Sequence, residues 1–158
     1  MARPRRLDER QRLMWKTYRD LNQELSTVLE EQLLRDAGLS GSEYAVLVEL
    51  SHARGGVLRA RELGSELGWD RSRLSHLVGR MEKRRLVARE ECEEDARGSM
   101  VRLTGAGRAA VEGVAPEHSE AIRRYFFNAL SNDELETLAA AFDRLLENLR
   151  AEQGVTSP

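Results

Sequence analysis

The residues best suited to chemistry lie on one face of a predicted helix that follows Asp70 and runs to about Arg85. Apolar residues recur there at i, i+3, i+4 and i+7, which gathers them on one side: Leu74, Leu77, Val78 and Met81. The opposite side carries Ser72, His76, Gly79 and Lys83, flanked by Arg73, Ser75 and Arg80. Such a face can enter a DNA major groove, because arginine offers two donors to guanine, while serine and histidine reach base edges or phosphates.

The alternative for this helix is an ordinary solvated surface. A solvated helix more often mixes acidic and basic residues at i, i+4 spacing. Here Asp70 at the start is the one carboxylate that we expect on the polar face, since Glu82 should fall nearer the buried edge. The scarcity of acids therefore favours a nucleic-acid surface.

A second predicted helix precedes the first and completes a known arrangement. Residues 59–67 read as a short helix, and Gly68 and Trp69 form a tight turn. A two-turn helix, a brief turn and a polar-faced helix together are typical of a helix-turn-helix. Arg59 and Arg61 lie near the start of the short helix, whose positive end also favours a phosphate. Lys83 is a further candidate for phosphate contact.

Two short strands are predicted at residues 87–92 and 99–103, joined by a polar link that ends in glycine. This pattern predicts a β-hairpin, which would form the wing beside the helices. Arg97, near the tip, can reach into an adjacent minor groove, where negative potential is concentrated. Arg102 is expected to contact phosphate. The alternative is that these arginines are simply exposed to solvent.

The hairpin also carries acids that phosphate would repel, namely Glu91, Glu93, Glu94 and Asp95. We expect Asp95 to brace Arg97 and the other acids to point away from DNA. Cys92 lies among these carboxylates, which raise a thiol pKa and so oppose reactivity. An unreactive cysteine is therefore favoured over a redox sensor.

Long amphipathic helices flank the winged helix-turn-helix. A helix over 7–36 ends at Gly38, and a capping box at Ser40 begins a helix that stops near 55–56. Thr104 caps a later helix in which Pro116 predicts a kink or break. A capping box at Ser131 begins the last helix, whose apolar stripe is Leu135, Leu138, Phe142, Leu145 and Leu149.

The fold class is therefore mainly α: a winged helix-turn-helix with a two-stranded β wing and long flanking dimerisation helices. The predicted organisation is an N-terminal dimerisation helix (1–39), a DNA-binding lobe (40–103), C-terminal dimerisation helices (104–150) and a disordered tail (151–158). One small domain cannot cover every apolar stripe of these helices, so a two-fold homodimer is expected.

Charge is unevenly distributed along the 158-residue chain, whose net charge is −2. Residues 59–89 carry nine Arg or Lys against four Asp or Glu, and residues 109–158 carry four against nine. A basic segment within an acidic chain is typical of a nucleic-acid reader. The single cysteine, the absence of a long apolar run and the charged N-terminal helix predict a cytoplasmic protein without a membrane segment.

Residues 70–87 resemble the recognition helix of the MarR family of bacterial repressors. Residues 95–98, Asp-Ala-Arg-Gly, and 103–108, Leu-Thr-Gly-Ala-Gly-Arg, match the wing and exit signature of that family. The resemblance covers nearly the whole chain. It implies an obligate dimer on a palindromic operator in double-stranded DNA, which usually represses its own and neighbouring genes. It also implies which residues face the major groove, namely Ser72, Arg73, Ser75, His76 and Arg80, and that Arg97 enters the minor groove.

The chain departs from the family pattern at two positions. Arg85 replaces a glycine that is usual there, so a positive φ at this position would strain the backbone. The position of His76 is often arginine in relatives, which leaves the base preference open.

The resemblance further suggests a phenolic or other aromatic acid as an inducer that releases the protein from DNA. Trp15, Tyr18, Tyr44 and His52 are candidates to line its pocket, as aromatic rings with polar tips. The alternative, which we favour, is that these residues belong to the core and the dimer interface.

Other classes of function fit less well. The sequence contains no nucleophile elbow, phosphate loop, dinucleotide fingerprint or zinc helix, so no enzyme and no cofactor is predicted. His52, His76 and His118 form no pair at ligand spacing, so no metal site is expected. A winged-helix interaction module without DNA binding and a ligand-independent regulator stay open. A sequence-indifferent DNA coater is disfavoured by the negative net charge.

Overall fold

The computed structural model describes residues 6–92, 95–152 and 154, and for residues 91, 92 and 95–98 the description covers the backbone alone. The chain divides after Ser119 into two compact units. The elements are, in order, α1 (Glu9–Ala37), α2 (Gly41–His52), β1 (Val57–Arg59), α3 (Ala60–Leu67), α4 (Arg71–Lys83), β2 (Val87–Cys92), β3 (Asp95–Leu103), α5 (Gly105–Tyr125) and α6 (Asn132–Glu152). Short 3₁₀ turns lie at Arg54–Gly56 and Phe127–Ala129.

Side-chain caps fix the helix starts that the sequence predicted. The hydroxyl of Ser40 accepts from the backbone N–H of Glu43, whose carboxylate accepts in return from Ser40 N–H, at 3.1 and 2.9 Å. Asp70 accepts from the N–H of Arg73 at 2.9 Å and so begins α4. Gly38 ends α1 with φ 62°, a left-handed conformation that glycine adopts without steric cost.

The wing hairpin is confirmed, and a third strand joins it. The three strands form an antiparallel sheet in the order β1-β3-β2. Arg59 pairs with Met100 and Val87 with Leu103. The sequence did not predict β1, because three residues are too few to show an alternating pattern. The predicted end of α2 at 55–56 was also too late, since α2 ends at His52 and a 3₁₀ turn follows.

The core of the first unit lies where α2, α3, α4, α5 and the sheet meet. It includes the four apolar residues of α4 that the helical spacing predicted, and the fully buried Leu39, Leu47, Leu50 and Leu63. Burial of this apolar surface holds the short helix α3 and the helix α4 in a fixed relation to the wing.

The exit from the wing into α5 is unusually close-packed. The hydroxyl of Thr104 lies 2.6 Å from the carbonyl oxygen of Arg85 and accepts from the N–H of Gly107 at 3.0 Å. A Cβ on Gly107 would lie 2.0 Å from the carbonyl oxygen of Leu86, so only glycine fits. The second glycine of the Leu-Thr-Gly-Ala-Gly-Arg pattern is therefore explained by the close approach of the α5 backbone at Gly107 to the backbone at Leu86.

The break expected at Pro116 was wrong, because α5 continues through this residue. Proline cannot donate to the carbonyl of Glu112, one turn earlier. Both residues are exposed, so water can satisfy that carbonyl and the helix need not end.

The second unit begins at Glu120 and contains α6. The predicted capping box is present, since the N–H of Ser131 donates to Glu134 at 2.8 Å. The hydrogen bonds from the backbone N–H and the hydroxyl of Ser131 hold the pKa of the Glu134 carboxyl below its ordinary value. On α6 the side chains of Phe142, Leu145 and Leu149 are exposed. Within the described ranges, no helix combines the length and apolar content needed to cross a bilayer.

Candidate nucleic-acid interface

Helix α4 has the two faces that its sequence predicted. Leu74, Leu77, Val78 and Met81 are buried in the core. The polar residues are exposed to solvent, namely Ser72, Arg73, Ser75, His76, Arg80 and Lys83. The apolar side thus fixes the helix to the body of the protein and leaves a continuous polar surface accessible. We call these six residues the groove face.

The turn between α3 and α4 sets the direction of the groove face. Gly68 has φ 64°, and the N–H of Trp69 donates to the carbonyl of Gly64 at 2.9 Å. A Cβ on Gly64 would lie 3.1 Å from the carbonyl oxygen of Trp69, so a larger residue there would push this carbonyl aside by a few tenths of an ångström. The geometry is that of a helix-turn-helix with a tightly closed turn.

The two arginines of the groove face have no hydrogen-bond acceptor among the described side chains. The guanidinium of Arg73 lies over the ring of Trp69, with its carbon 4.3 Å from the ring centroid. Among the side chains that the structure describes, which leave out those of residues 91–98, neither Arg73 nor Arg80 pairs its guanidinium with a carboxylate or other hydrogen-bond acceptor. Their donors therefore remain available to a ligand outside the protein.

Arg89 on β2 is a cation beside the groove face that sequence reasoning missed. Its guanidinium donates to the carbonyl oxygen of Ser75 at 2.7 Å, and lies 3.4 Å from the Ser75 hydroxyl. Glu82 is exposed, and its carboxylate accepts from the backbone N–H of Arg89 at 3.2 Å, so β2 also borders this edge of α4. A strand passing across the helix cannot be seen in helical periodicity, so no local signal marked this contact.

The cations predicted to contact phosphate differ in their surroundings. Lys83 and Arg61 are exposed, whereas Arg59 is half-buried at the end of β1. Arg102 is held by Glu90 through two hydrogen bonds, one of 2.9 Å, and by the carbonyl of Gly55 at 3.3 Å. Arg102 therefore shares some of its donors with acceptors of the protein, while its side chain stays 43% exposed.

The Arg102–Glu90 pair also changes both protonation equilibria. The hydrogen bond from Arg102 holds the pKa of the Glu90 carboxyl below its ordinary value, and the Glu90 carboxylate raises the pKa of Arg102. Glu90 is thus an acid of the wing whose charge is neutralised within the protein. The side chains of Arg97, Asp95 and Cys92 lie outside the description, so the predicted brace stays a prediction.

An ion pair connects the end of α4 to the start of α2. Arg84 donates to both carboxylate oxygens of Glu43 at 2.7 and 2.8 Å, and to the carbonyl of Gly38 at 2.8 Å. The Glu43 side chain is only 9% exposed, and that of Arg84 is 44% exposed. The next residue, Arg85, has φ 59°, as expected where relatives carry glycine. The C-terminal end of α4 is therefore held by an ion pair in which one guanidinium nitrogen of Arg84 reaches both oxygens of Glu43, and the left-handed residue Arg85 follows it directly.

The four residues proposed for a ligand pocket do not meet within one chain. Trp15 and Tyr18 stack on each other at 5.4 Å, and are 56% and 50% exposed. Tyr44 instead packs at 4.6 Å against His118, whose Nδ1 lies 2.7 Å from Gln32 Oε1. Gln32 follows Trp15 by roughly 25 Å along α1 at 1.5 Å per residue.

His52 is exposed at the end of α2, and adds nothing to either aromatic pair. Burial lowers the pKa of His118 and raises that of Tyr44. Gln32 and His118 were missed because neither carries a signal in its neighbours. Within the described ranges, no group of three or more His, Cys, Asp or Glu is placed to hold a metal ion.

Comparison with known proteins identifies the fold and the family of this chain. A sequence model described as "MarR family" matches residues 37–98. The structure of AbsC from Streptomyces coelicolor, a MarR family transcriptional regulator, is 36% identical with a TM-score of 0.87, and the match covers 93% of this chain and 99% of AbsC. The chain belongs to the MarR family of transcriptional regulators.

Two further relatives support this MarR family assignment. Sco3205 of S. coelicolor, solved in complex with DNA, is 35% identical over 95% of this chain and 94% of its own, with a TM-score of 0.89. The transcriptional repressor MprA of Escherichia coli K12 is 25% identical over 78% of this chain and 71% of its own length. Membership confirms the predicted winged-helix fold and a transcriptional regulator rather than an enzyme.

Proposed function

We propose that this MarR family protein is a sequence-specific transcriptional regulator that lays the groove face of α4 in the major groove of duplex DNA. The observation that carries the proposal is the exposed polar surface from Ser72 to Lys83 above a fully buried apolar side. Arg73 and Arg80 are the main base readers, since arginine donates to two acceptors of guanine. Ser72, Ser75 and His76 contact base edges or phosphates.

Phosphate contacts come from around the groove face. Arg61 and Lys83 are exposed, and α3 presents its positive end near Arg61. Arg97 enters the minor groove and Asp95 braces it. Arg89 lies beside Ser75 and Arg102 beside Glu90, and both join the phosphate contacts through the guanidinium donors that these acceptors leave free.

The regulator acts as a homodimer on a palindromic operator. Exposed apolar side chains on α1 and α6 support this, because a monomer would leave them in water: Leu13, Met14, Trp15, Leu21, Phe142, Leu145 and Leu149. Residues 1–39 and 104–150 are the dimerisation segments. Two recognition helices would enter successive major grooves about 10 base pairs apart, which gives an inverted repeat of roughly 16–20 base pairs. Light scattering at micromolar concentration should give the mass of a dimer, and a monomer would exclude this arrangement.

The regulator works in the cytoplasm, where the chromosome of a bacterium lies, and represses its own and neighbouring genes. The similarity to MprA, which is named a transcriptional repressor, supports repression rather than activation. A small aromatic acid is the candidate effector. It should raise the melting temperature of the wild type and leave that of Trp15→Ala unchanged, and a shift in both would exclude Trp15 from its site.

Selection from a random duplex pool tests the DNA proposal. The wild type should enrich an inverted repeat, and its affinity for that sequence should fall steeply as salt rises, through counterion release. Arg73→Ala or Arg80→Ala should weaken binding by about 5- to 150-fold, the equivalent of 1–3 kcal/mol for one base contact. Arg54→Ala, which removes an exposed arginine outside the groove face and outside both dimerisation segments, is the matched control.

The same experiment separates the second candidate function. A winged-helix interaction module without DNA binding would enrich no sequence, and neither the wild type nor the Arg73 and Arg80 variants would bind duplex DNA. The groove face favours DNA binding over the interaction module, because Arg73 and Arg80 are exposed on it and no carboxylate lies between them.

A further inference from the structure

We propose that Trp69 is a positioning residue for DNA recognition, which holds the guanidinium of Arg73 in place while leaving its donors free. The proposal deepens the function above and rests on Arg73 reading a base. The observation behind it is the contact between the two side chains, in which the guanidinium carbon of Arg73 lies 4.3 Å from the ring centroid of Trp69. Sequence alone marks Trp69 only as a turn residue.

Both ends of Arg73 are fixed before any DNA arrives. Its backbone N–H donates to the Asp70 carboxylate at 2.9 Å, which sets the first turn of α4. Its guanidinium rests on an indole that is itself packed against the hydrophobic core. The indole is thus a rigid platform, tied to the body of the protein through the closed turn at Gly64 and Gly68.

Stacking differs from an ion pair in the atoms that it uses. A guanidinium that lies over an aromatic ring engages its flat face, while its five N–H donors point outward in the plane. Arg84 and Arg102 show the other solution in this chain, since carboxylates occupy their donors. Trp69 therefore orders Arg73 without consuming the groups that would bind guanine.

Ordering a long side chain in advance should increase affinity. Immobilising a rotamer-rich side chain on binding costs conformational entropy, and a side chain that is already ordered avoids that cost. Removal of the platform should therefore weaken operator binding by about 10-fold, the equivalent of about 1.4 kcal/mol. The loss should appear as a relaxed preference at the one operator position that Arg73 reads.

A double-mutant cycle on the selected operator tests this. Trp69→Leu, which keeps an apolar side chain but removes the aromatic face, should weaken binding about 10-fold when Arg73 is present, and less than about twofold in the Arg73→Ala background. Trp69→Phe should retain most of the affinity. Thermal unfolding of each variant is measured to check that the fold is retained.

The outcomes distinguish the two levels of the proposal. An equal loss from Trp69→Leu in both backgrounds, or no loss in either, would overturn the platform and leave DNA binding intact. A normal affinity and base preference for Arg73→Ala would instead remove Arg73 from the proposed groove contacts. Relaxed preference at the same operator position for Trp69→Leu and Arg73→Ala is the result that a merely structural role would not produce.

Discussion

The ion pair that anchors the end of α4 permits a worked prediction for the variant Arg84→Ala. Three hydrogen bonds are lost, two to Glu43 and one to the carbonyl of Gly38. Hydrogen bonds to charged groups contribute about 1.5–3 kcal/mol, and the 44% exposure of Arg84 calls for a discount from the sum because solvent screens the pair. We therefore expect the free energy of unfolding to fall by about 2–3 kcal/mol.

The main cost comes from the carboxylate that stays behind. Glu43 remains buried, with Oε2 still accepting from the N–H of Ser40 but Oε1 without its arginine donor. Removing one partner of a buried pair is costly for that reason. Glu43→Gln in the Arg84→Ala background removes the stranded charge while leaving an oxygen for the Ser40 cap, and should recover part of the loss.

Urea unfolding followed by circular dichroism, at one protein concentration, measures these changes. Arg123→Ala is the matched control, because it breaks an ion pair whose side chains are 60% and 68% exposed. The control should change stability by less than about 0.5 kcal/mol. If Arg84→Ala is no more destabilising than Arg123→Ala, the ion pair does not anchor α4 and the reasoning is refuted.

Three further predictions follow from single positions. Arg85→Gly should raise the free energy of unfolding by about 1 kcal/mol in urea titration, because glycine relieves the left-handed strain at φ 59° at a smaller entropic cost; a lower stability would show that the Arg85 side chain itself stabilises the fold. Gly107→Ala should lower it by about 3 kcal/mol through the clash with the carbonyl of Leu86, while Gly105→Ala, which meets nothing within 4 Å, should be near neutral, and similar effects of both would contradict the close approach. Burial lowers the pKa of His118 below 6.5, so the unfolded chain takes up its proton first and stability should fall as pH drops below about 6.5; His118→Asn should flatten this decline in the urea midpoint, and an unchanged slope would count against the assignment.

Local chemistry explains what the sequence could predict. The caps at Ser40, Asp70 and Ser131 join atoms three residues apart, so neighbouring residue types suffice to place the helix starts. The apolar spacing of α4 fixes its buried side for a similar reason, since the helix period alone decides which residues share a face. The strain at Arg85 was also predictable, because the family pattern places glycine there.

Contacts between distant segments explain what the sequence could not predict. Arg84 meets Glu43 across 41 residues of chain, and no spacing rule selects that carboxylate among the many in this sequence. Arg89 crosses α4 at Ser75 only because the sheet packs there. The ion pair between Arg102 and Glu90 could have been predicted from the sequence, since the hairpin register puts Arg102 opposite Ala88 and diagonal to Glu90.

The central claim, that the groove face lies against base pairs, can be measured directly by DNA cleavage from a tethered iron chelate. The chelate is attached to Arg71→Cys, an exposed position in the first turn of α4, in a Cys92→Ser background, with Glu147→Cys as the exposed control on α6. We predict cleavage at two operator sites about 10 base pairs apart from position 71, and none at those sites from position 147. Bound operator that is left uncut from position 71, or is cut equally from both positions, would contradict the account.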